Sequence, residues 1–202
     1  MYKKIKRGLD IIFSLVLLII GGIFLLIVGL IIKIDSPGPA IFKQERLGLN
    51  GKVFNIYKFR SMCQGAEKKG TGVYSLKGDP RVTKVGRFIR ATSIDELPQL
   101  INILKGEMSI VGPRPALYNQ IDLKEMRTEA GVHKLVPGLT GWAQINGRDE
   151  IPLSLKVKLD KEYLMKKSLF FDIKIIFMTV LSVIKSEGVQ EGKADNNNDK
   201  VA

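Results

Sequence analysis

IIFSLVLLIIGGIFLLIVGLII, residues 11–32, contains no charged side chain and consists almost entirely of Leu, Ile, Val, Phe and Gly. A helix that inserts into a bilayer needs about 20 apolar residues, which is roughly this length. A secretory signal is disfavoured, because the apolar region is long and no small-x-small cleavage site follows it. A buried helix of a soluble protein would rarely be so uniformly apolar. The stretch therefore predicts a membrane-inserted helix.

Basic residues flank this apolar stretch on both sides. They are Lys3, Lys4, Lys6 and Arg7 before it, and Lys33, Lys43 and Arg46 after it. Lys and Arg mark cytoplasmic flanks, so a segment that enters the bilayer, turns and returns keeps both flanks inside. Gly21-Gly22 is the candidate bend, although glycine permits a kink without forcing one. We therefore expect a re-entrant membrane helix within an N-terminal unit at residues 1–35.

Composition limits what the rest of the chain can be. The 202 residues carry a formal net charge of +12, with one cysteine (Cys63) and one histidine (His133). One cysteine and one histidine exclude a disulfide framework and a zinc site built from several Cys or His. The charge implies a polyanionic partner: a nucleic acid, an anionic membrane surface or a phosphorylated substrate. We expect a cytosolic catalytic domain at 36–189 and a disordered tail at 190–202.

The remaining elements predict an α+β fold that is mostly helical. Ala40–Gln44 and Val53–Phe59 are expected to form a small β-hairpin around Leu49-Asn50-Gly51. Helices are expected at 84–90, 97–104, 118–130 and 169–184, whereas residues 153–167 mix apolar residues with many lysines. The helix at 169–184 is apolar but interrupted by Asp172 and Lys174, which is typical of an interfacial amphipathic helix or a core helix.

SIDELPQLINIL, residues 93–104, places two adjacent carboxylates at the start of an apolar helical pattern. Ser93 and Glu96 fit a capping box, and Asp95 could equally be the N-cap because Pro98 belongs in a first turn. Helical neighbours do not face each other, so Asp95 and Glu96 are not expected to share one proton. They can instead take separate roles, one as nucleophile or metal ligand and the other as base. The pattern leaves capping and catalysis open.

Three further groups of basic or polar residues are candidates for binding a phosphorylated ligand. Lys58 and Arg60, two apart on a strand, would project to one side as a phosphate clamp or as a solvated face. In Gly112-Pro113-Arg114-Pro115 the prolines stiffen the backbone, so Arg114 is either pre-aimed at an anion or simply exposed on a rigid turn. The Gly-rich loop at 137–148 either binds a ligand or packs under Trp142.

The chain lacks the motifs of several common enzyme classes. There is no G-x-x-x-x-G-K-[ST] phosphate loop, no G-x-G-x-x-G fingerprint and no G-x-S-x-G elbow. A carboxylate pair surrounded by Lys and Arg beside a membrane suits phosphoryl transfer, usually with Mg²⁺. A carboxylate can itself be the nucleophile in such a reaction.

Six ordered blocks of this sequence resemble the bacterial sugar transferases, the monotopic phosphoglycosyl transferases that start polysaccharide and glycoconjugate synthesis. They are Lys6-Arg7, the runs at 35–39 (DSPGP), 56–62 (IYKFRSM), 95–100 (DELPQL) and 112–115 (GPRP), and the loop at 137–148. The resemblance covers about residues 6–189 and has the size of the family's minimal catalytic unit. Gly22-Ile23 stands where the family usually has Ser-Pro, so the proline that breaks the helix is missing here.

This resemblance implies transfer of a sugar-1-phosphate, with an N-acetylated sugar, from a UDP-sugar to undecaprenyl phosphate, releasing UMP. It would be the first membrane step in making a capsule, an exopolysaccharide or a glycoconjugate. Asp95 would be the nucleophile, forming a phosphosugar-aspartyl intermediate, and would also contact Mg²⁺, while Glu96 assists on the proton or metal side. The residues expected to bind substrate are Lys58, Arg60, Arg90, Arg114, Gln144 and Arg148.

The resemblance also implies a location in the bacterial inner membrane, with the catalytic domain on the cytoplasmic face and no nucleic-acid partner. Two alternatives remain from the composition: a membrane-tethered protein that binds polyanions, and a non-catalytic scaffold. Polyanion binding would depend on salt and would not need Asp95. Assembly as a homo-oligomer, the identity of the sugar and the final glycan stay open at this stage.

Overall fold

The computed structural model describes residues 1–66, 78–147 and 151–184. The predicted tail at 190–202 lies outside these residues. The longer helices and the strands are α1 (Tyr2–Asp35), β1 (Ile41–Leu47), β2 (Val53–Phe59), α2 (Lys84–Ala91), α3 (Gln99–Lys105), β3 (Ser109–Val111), α4 (Ile121–Glu129), β4 (Gly138–Thr140), α5 (Trp142–Ile145), α6 (Leu153–Lys166) and α7 (Leu169–Ile184). Single 3₁₀ turns lie at Leu49–Gly51, Ile94–Glu96 and Val132–Lys134. The prediction of a mostly helical α+β fold with a small two-stranded sheet is confirmed.

Helix α1 runs without interruption through Gly21 and Gly22. In the described part of the chain it is the one helix whose length and apolar composition would allow it to cross a membrane. Its outward side is apolar and open, since Ile19, Ile20 and Ile23 are 71%, 77% and 75% exposed. Exposure of so much apolar surface marks this as a membrane-associated protein. The break expected at Gly21-Gly22 is not present in the helix.

The N-terminal end of α1 is tied to the C-terminal helices and to α3. Lys6 pairs with Asp172 on α7 at 2.9 Å, and the Tyr2 hydroxyl donates to the same carboxylate at 2.8 Å. The Arg7 guanidinium donates to the Leu104 carbonyl at 2.9 Å, near the end of α3. Cations favour helix C-termini because the last carbonyls there lack intrahelical partners. These contacts hold the start of α1 against the domain.

The C-terminal end of α1 is tied down by Arg60. This buried guanidinium donates to the carbonyls of Ile32 at 3.2 Å and Ser36 at 2.6 Å, and also to the Pro37 carbonyl. A Cβ at Gly38 would collide with the same guanidinium, which explains the glycine there. Arg60 therefore caps α1 and fixes the turn that follows it.

Between its two ends, α1 packs against the core of the domain. Asp10 accepts hydrogen bonds from the Ser109 hydroxyl at 2.7 Å and the Ile110 amide at 3.1 Å, so this buried carboxylate is satisfied. Leu18 packs against a core formed by Phe54, Ile56, Leu100, Ile103 and Met108. Val28 and Ile32 pack with Phe59 and Ile89 in a second core. The helix therefore lies along the domain on one side and faces outward with its apolar residues on the other.

Two small sheets position the loops of the site. Strands β1 and β2 form the predicted antiparallel hairpin, with Ile41 opposite Phe59 and Leu47 opposite Val53. Strands β3 and β4 are parallel. The loop after β3 begins at Gly112, whose amide donates to the Thr140 carbonyl at 2.8 Å. A Cβ at Gly138 would overlap the Gly112 backbone, so only glycine at position 138 lets β4 approach the loop after β3 this closely.

Candidate active site

The two adjacent carboxylates lie on a 3₁₀ turn between α2 and α3. Ser93 precedes the turn in the left-handed conformation, with φ 57°, and its side chain makes no capping hydrogen bond. Helix α3 starts only after Pro98, so the predicted capping box is wrong. A non-glycine residue at positive φ costs on the order of 1 kcal/mol, and such strain is often found at functional sites. The turn places the side chains of Asp95 and Glu96 in different surroundings.

Glu96 is held between two cations from different parts of the chain. Its Oε1 accepts from Lys58 Nζ at 2.8 Å and from Arg114 Nη2 at 2.9 Å. Burial alone would raise the pKa of Glu96, but the charges of Arg114 and Lys58 and their hydrogen bonds hold it well below its usual range. Glu96 is therefore an ionised anchor that fixes both cations.

Asp95 has the opposite environment from Glu96. No hydrogen bond to its carboxylate is found within the described residues. Burial raises the pKa of Asp95 to about 6; the charges of Lys58, Arg90 and Arg114 oppose this rise, and that of Glu96 adds to it. At neutral pH this carboxylate is ionised, and no hydrogen bond from the described part of the chain occupies its oxygens. A carboxylate that acts as a nucleophile has to be ionised, with an oxygen atom available for attack.

The structure brings together five of the eight predicted site residues: Lys58, Arg90, Asp95, Glu96 and Arg114. Arg90 Nε donates to the Ser61 hydroxyl at 2.8 Å, and its charge also acts on Asp95. The five residues form a site in which three cations surround two carboxylates. Such a site suits a phosphorylated ligand.

The other three predicted residues are placed differently. Arg60 is directed to the end of α1, as described above, rather than to the carboxylates. The Gln144 side-chain amide, on α5, donates to the Leu139 carbonyl of the preceding strand β4 at 3.0 Å. Arg148 lies outside the described residues. Substrate binding by these three residues stays a prediction.

A buried ion pair behind Arg114 was missed in the sequence. Arg127 on α4 pairs with Asp160 on α6 at 2.6 Å and donates to the Arg114 carbonyl at 2.8 Å. The pair therefore braces the backbone of the residue that holds Glu96. A signal was present, because Asp160 falls between Val157 and Tyr163 on the buried stripe of α6. A carboxylate on an apolar stripe requires a buried partner.

The donors of the site are compatible with one Mg²⁺ shared with a substrate. The described residues contain no cluster of three or more His, Cys, Asp or Glu side chains. Mg²⁺ is commonly bound by one or two carboxylates together with substrate phosphates. The carboxylate of Asp95 is available for this, whereas that of Glu96 is engaged by two cations. Asp95 is thus the residue that would hold the ion.

Comparison with known proteins decides the family. A family model described as bacterial sugar transferase matches residues 1–186. This chain belongs to the bacterial sugar transferase family. Its sequence is 43% identical over 187 residues to an uncharacterized sugar transferase, EpsL, of Bacillus subtilis (strain 168), covering 93% of this chain and 91% of that relative.

Two relatives of the sugar transferase have names that state an activity. One is a UDP-glucose:undecaprenyl-phosphate glucose-1-phosphate transferase of Escherichia coli (strain K12), 45% identical over 185 residues. The other is a UDP-N-acetylgalactosamine-undecaprenyl-phosphate N-acetylgalactosaminephosphotransferase of Aeromonas hydrophila, 39% identical over 194 residues. The match covers 88% and 94% of this chain, but only 40% and 46% of these longer proteins.

The raised pKa of Asp95 predicts a cost in stability for the sugar transferase. Between about pH 4 and pH 6 the folded protein binds more protons than the unfolded chain, because the pKa rises from 3.8 to about 6 on folding. Stability is therefore lost as the pH rises through this window. We expect Asp95→Asn to stabilise the fold by about 2 kcal/mol near pH 7.5 and to have little effect near pH 4.

Thermal melting of the purified protein at the two pH values measures this difference. Asp122→Asn, an exposed carboxylate at the start of α4, is the matched control and should leave the melting temperature unchanged at both. Equal melting temperatures of wild type and Asp95→Asn near pH 7.5 would contradict the prediction.

Proposed function

We propose that this protein transfers a sugar-1-phosphate from a UDP-sugar to undecaprenyl phosphate and releases UMP. The observation that carries the proposal is the difference between the two carboxylates: Glu96 is paired with Lys58 and Arg114, while Asp95 is ionised among cations and receives no hydrogen bond from the described residues. Relatives named for UDP-glucose and for UDP-N-acetylgalactosamine support the donor class. We expect the sugar to be N-acetylated and the product to enter a capsule, exopolysaccharide or glycoconjugate.

The reaction would proceed in two displacements at phosphorus. First, an oxygen of the Asp95 carboxylate attacks the β-phosphorus of the UDP-sugar, and the bond from that phosphorus to the bridging oxygen breaks. UMP leaves with the electron pair, and a phosphosugar-aspartyl intermediate remains. A phosphate oxygen of undecaprenyl phosphate then attacks the same phosphorus, which releases Asp95 as a carboxylate and forms the lipid-linked diphosphate sugar.

The cations of the site would neutralise the charge of the diphosphate. Lys58 and Arg114 are held in position by Glu96, so they need little reorganisation when charge develops on the leaving nucleotide. Bound Mg²⁺, held by Asp95 and substrate phosphates, would supply further charge neutralisation. The depressed pKa of Glu96 makes this residue an anchor for the cations rather than a proton donor.

The attachment of α1 supports a monotopic arrangement on the cytoplasmic face of the inner membrane. Both ends of α1 are bonded to one domain, through Lys6 at the start and Arg60 at the end. Both flanks would therefore lie on the same side of the membrane as that domain. The apolar outward side of α1 would enter the bilayer without crossing it. Exposed Phe170, Ile173 and Phe177 on α7 offer a second apolar surface.

Cysteine labelling tests this arrangement. In a Cys63→Ser background, we expect Lys3→Cys and Lys33→Cys to resist a membrane-impermeant maleimide in intact cells and to react after permeabilisation. Both lysines are exposed in the structure, so burial would not prevent reaction. Wild-type Cys63, an exposed residue of the domain itself, is the matched control. Labelling of Lys3→Cys alone from outside would show that α1 crosses the membrane.

The proposed activity is tested by measuring UMP. Purified protein is incubated with undecaprenyl phosphate, Mg²⁺ and a panel of UDP-sugars that includes N-acetylated and plain hexoses. We expect UMP release that requires both the lipid phosphate and one donor of the panel. Absence of UMP with every donor, while the protein binds anionic vesicles or polyanions in a salt-sensitive manner, would favour a binding or scaffold protein instead.

A further inference from the structure

Helix α3, which follows the carboxylate turn, carries a completely buried side-chain amide. This residue is Asn102, and its helix neighbours Leu100 and Ile103 belong to the apolar core around Phe54 and Ile56. Burying an amide costs free energy unless its polar atoms are hydrogen-bonded. The mechanism above gives Asn102 no role, so its hydrogen bonds have to account for its presence in the core.

The Asn102 side chain bonds to the edge of strand β2 that faces away from β1. Its Oδ1 accepts from the Tyr57 amide at 3.0 Å, and its Nδ2 donates to the Asn55 carbonyl at 2.7 Å. In the described part of the chain, β2 pairs with β1 alone. A side-chain amide presents an acceptor and a donor side by side, as the backbone of a neighbouring strand would. Asn102 therefore replaces a third strand at this point.

A third hydrogen bond fixes the orientation of the amide. Asn102 Nδ2 also donates to Glu107 Oε2 at 2.7 Å, just beyond the end of α3. The Asn102 backbone carbonyl accepts from the Glu107 amide at 3.0 Å, so the two residues are bonded twice. A flipped amide would set oxygen against oxygen at Glu107 and at the β2 carbonyl. The side chain can therefore hold β2 in only one orientation.

The two elements that Asn102 joins carry the two members of an ion pair in the candidate active site. Lys58 directly follows Tyr57 on β2, and Glu96 lies on the turn that precedes α3. The two residues between this turn and α3 keep helical backbone angles, so the turn runs into the helix without a break. A shift of α3 along β2 would therefore move Glu96 relative to Lys58 Nζ, which is now 2.8 Å from its carboxylate.

We propose that Asn102 is a positioning residue for the transfer reaction, which sets the place of the Lys58 ammonium by holding β2 against α3. This inference rests on the proposed function, in which Lys58 neutralises charge on the leaving nucleotide. Such a cation has to be in place before the charge develops, and a displacement of about 1 Å can cost a hundredfold in rate. The lysine side chain is flexible, so its backbone and its ion pair with Glu96 determine where the ammonium lies. Asn102 acts on both.

Acylation of lysines in the purified full-length protein measures the placement of Lys58 independently of activity. With N-hydroxysuccinimidyl acetate as the probe and peptide mass spectrometry as the readout, we expect Lys58 to react at least about threefold faster in Asn102→Ala, because its ion pair with Glu96 is weakened. Lys52, an exposed residue after the hairpin turn, is the internal reference and should react equally in both proteins. Thr179→Val, which removes a hydrogen bond between α7 and β4, is the matched control and should leave both rates unchanged.

A double-mutant cycle on kcat/KM for the UDP-sugar separates positioning from loss of stability. We expect Lys58→Met to lower kcat/KM about a hundredfold and Asn102→Ala to lower it about tenfold. In the Lys58→Met background, Asn102→Ala should cost less than about twofold more, because the cation that it positions is absent. Thr179→Val should have the same small effect in both backgrounds.

A second pair of variants keeps the test decisive if Asn102→Ala does not fold. Asn102→Asp keeps the oxygen that accepts from the Tyr57 amide, but sets a carboxylate oxygen against Glu107. It should speed acylation of Lys58 and lower kcat/KM as Asn102→Ala does. Adding Glu107→Gln supplies an amide that can donate to that oxygen, and should recover part of both effects.

Each result decides a different question about the site. Unchanged acylation of Lys58 in the folded Asn102 variants would overturn the inference while the proposed function stands. An undiminished effect of Asn102→Ala in the Lys58→Met background would also overturn it. A wild-type protein that releases no UMP would overturn the proposed function, and the role of Asn102 in the reaction with it.

Discussion

Replacement of Asp95 by Asn is expected to reduce UMP release by at least about a thousandfold, because an amide cannot form the phosphosugar adduct. The loss should occur without loss of the fold, since the neutral side chain removes an ionised group whose pKa burial raises to about 6. Acid quenching after incubation with donor labelled in its β-phosphate should give protein-bound label in wild type and none in the variant.

Asp122→Asn is again the matched control, because it removes an exposed carboxylate that contacts none of the site residues. It should release UMP and retain label as wild type does. Product formation by Asp95→Asn at the wild-type rate would exclude the covalent route. Product formation by wild type without bound label at any time point would also contradict it.

Replacement of Arg114 by Met is expected to lower kcat/KM for the UDP-sugar by about a hundredfold to a thousandfold. The change removes a cation from the leaving phosphate and one of the two cations that hold Glu96, at 2.9 Å. Arg114 is also the main influence that lowers the pKa of Glu96, so this pKa should rise in the variant. Steady-state rates measured over a range of donor concentrations give the effect.

Two further variants show whether the effect of Arg114→Met is specific to that guanidinium. Arg114→Lys keeps the charge but loses the forked geometry, and should have an intermediate effect. Arg87→Met removes an exposed arginine from the neighbouring helix α2 and should leave kcat/KM near the wild-type value. If Arg114→Met matched Arg87→Met, the contact between Arg114 and Glu96 would have no part in the reaction.

Local patterns predicted the elements of this fold well. The charge-free run at 11–32 indicated α1, and alternating residues around Leu49–Gly51 indicated the hairpin, which is present with its turn at Asn50 and Gly51. The carboxylate pair was also found from the sequence alone. These features depend on neighbouring residues, so periodicity and turn chemistry are sufficient to reveal them.

Features that depend on distant contacts were not predictable in the same way. Lys58 and Arg60 were expected on one side of a strand, but β2 ends at Phe59, so the alternation of side chains does not extend to Arg60. The capping box at Ser93 failed because Lys58 and Arg114 engage Glu96 more strongly than a backbone amide would. The ion pair between Arg127 and Asp160 joins residues that are 33 positions apart in the sequence, on two different helices.

The ion pair between Lys6 and Asp172, which holds the start of α1 against α7, has a consequence for the synthesis of the protein. Lys6 and its partner Asp172 are 166 residues apart, so the first leaves the ribosome long before the second. At a synthesis rate of about 5–20 residues per second, roughly 10 to 30 seconds separate the two events. Most of the surface on which α1 packs, from Phe54 to Ile110, is made during that interval, before Asp172. The contact between Lys6 and Asp172 can therefore form only after the core that holds the middle of α1 has been synthesised, which makes it a late step in assembling the native protein.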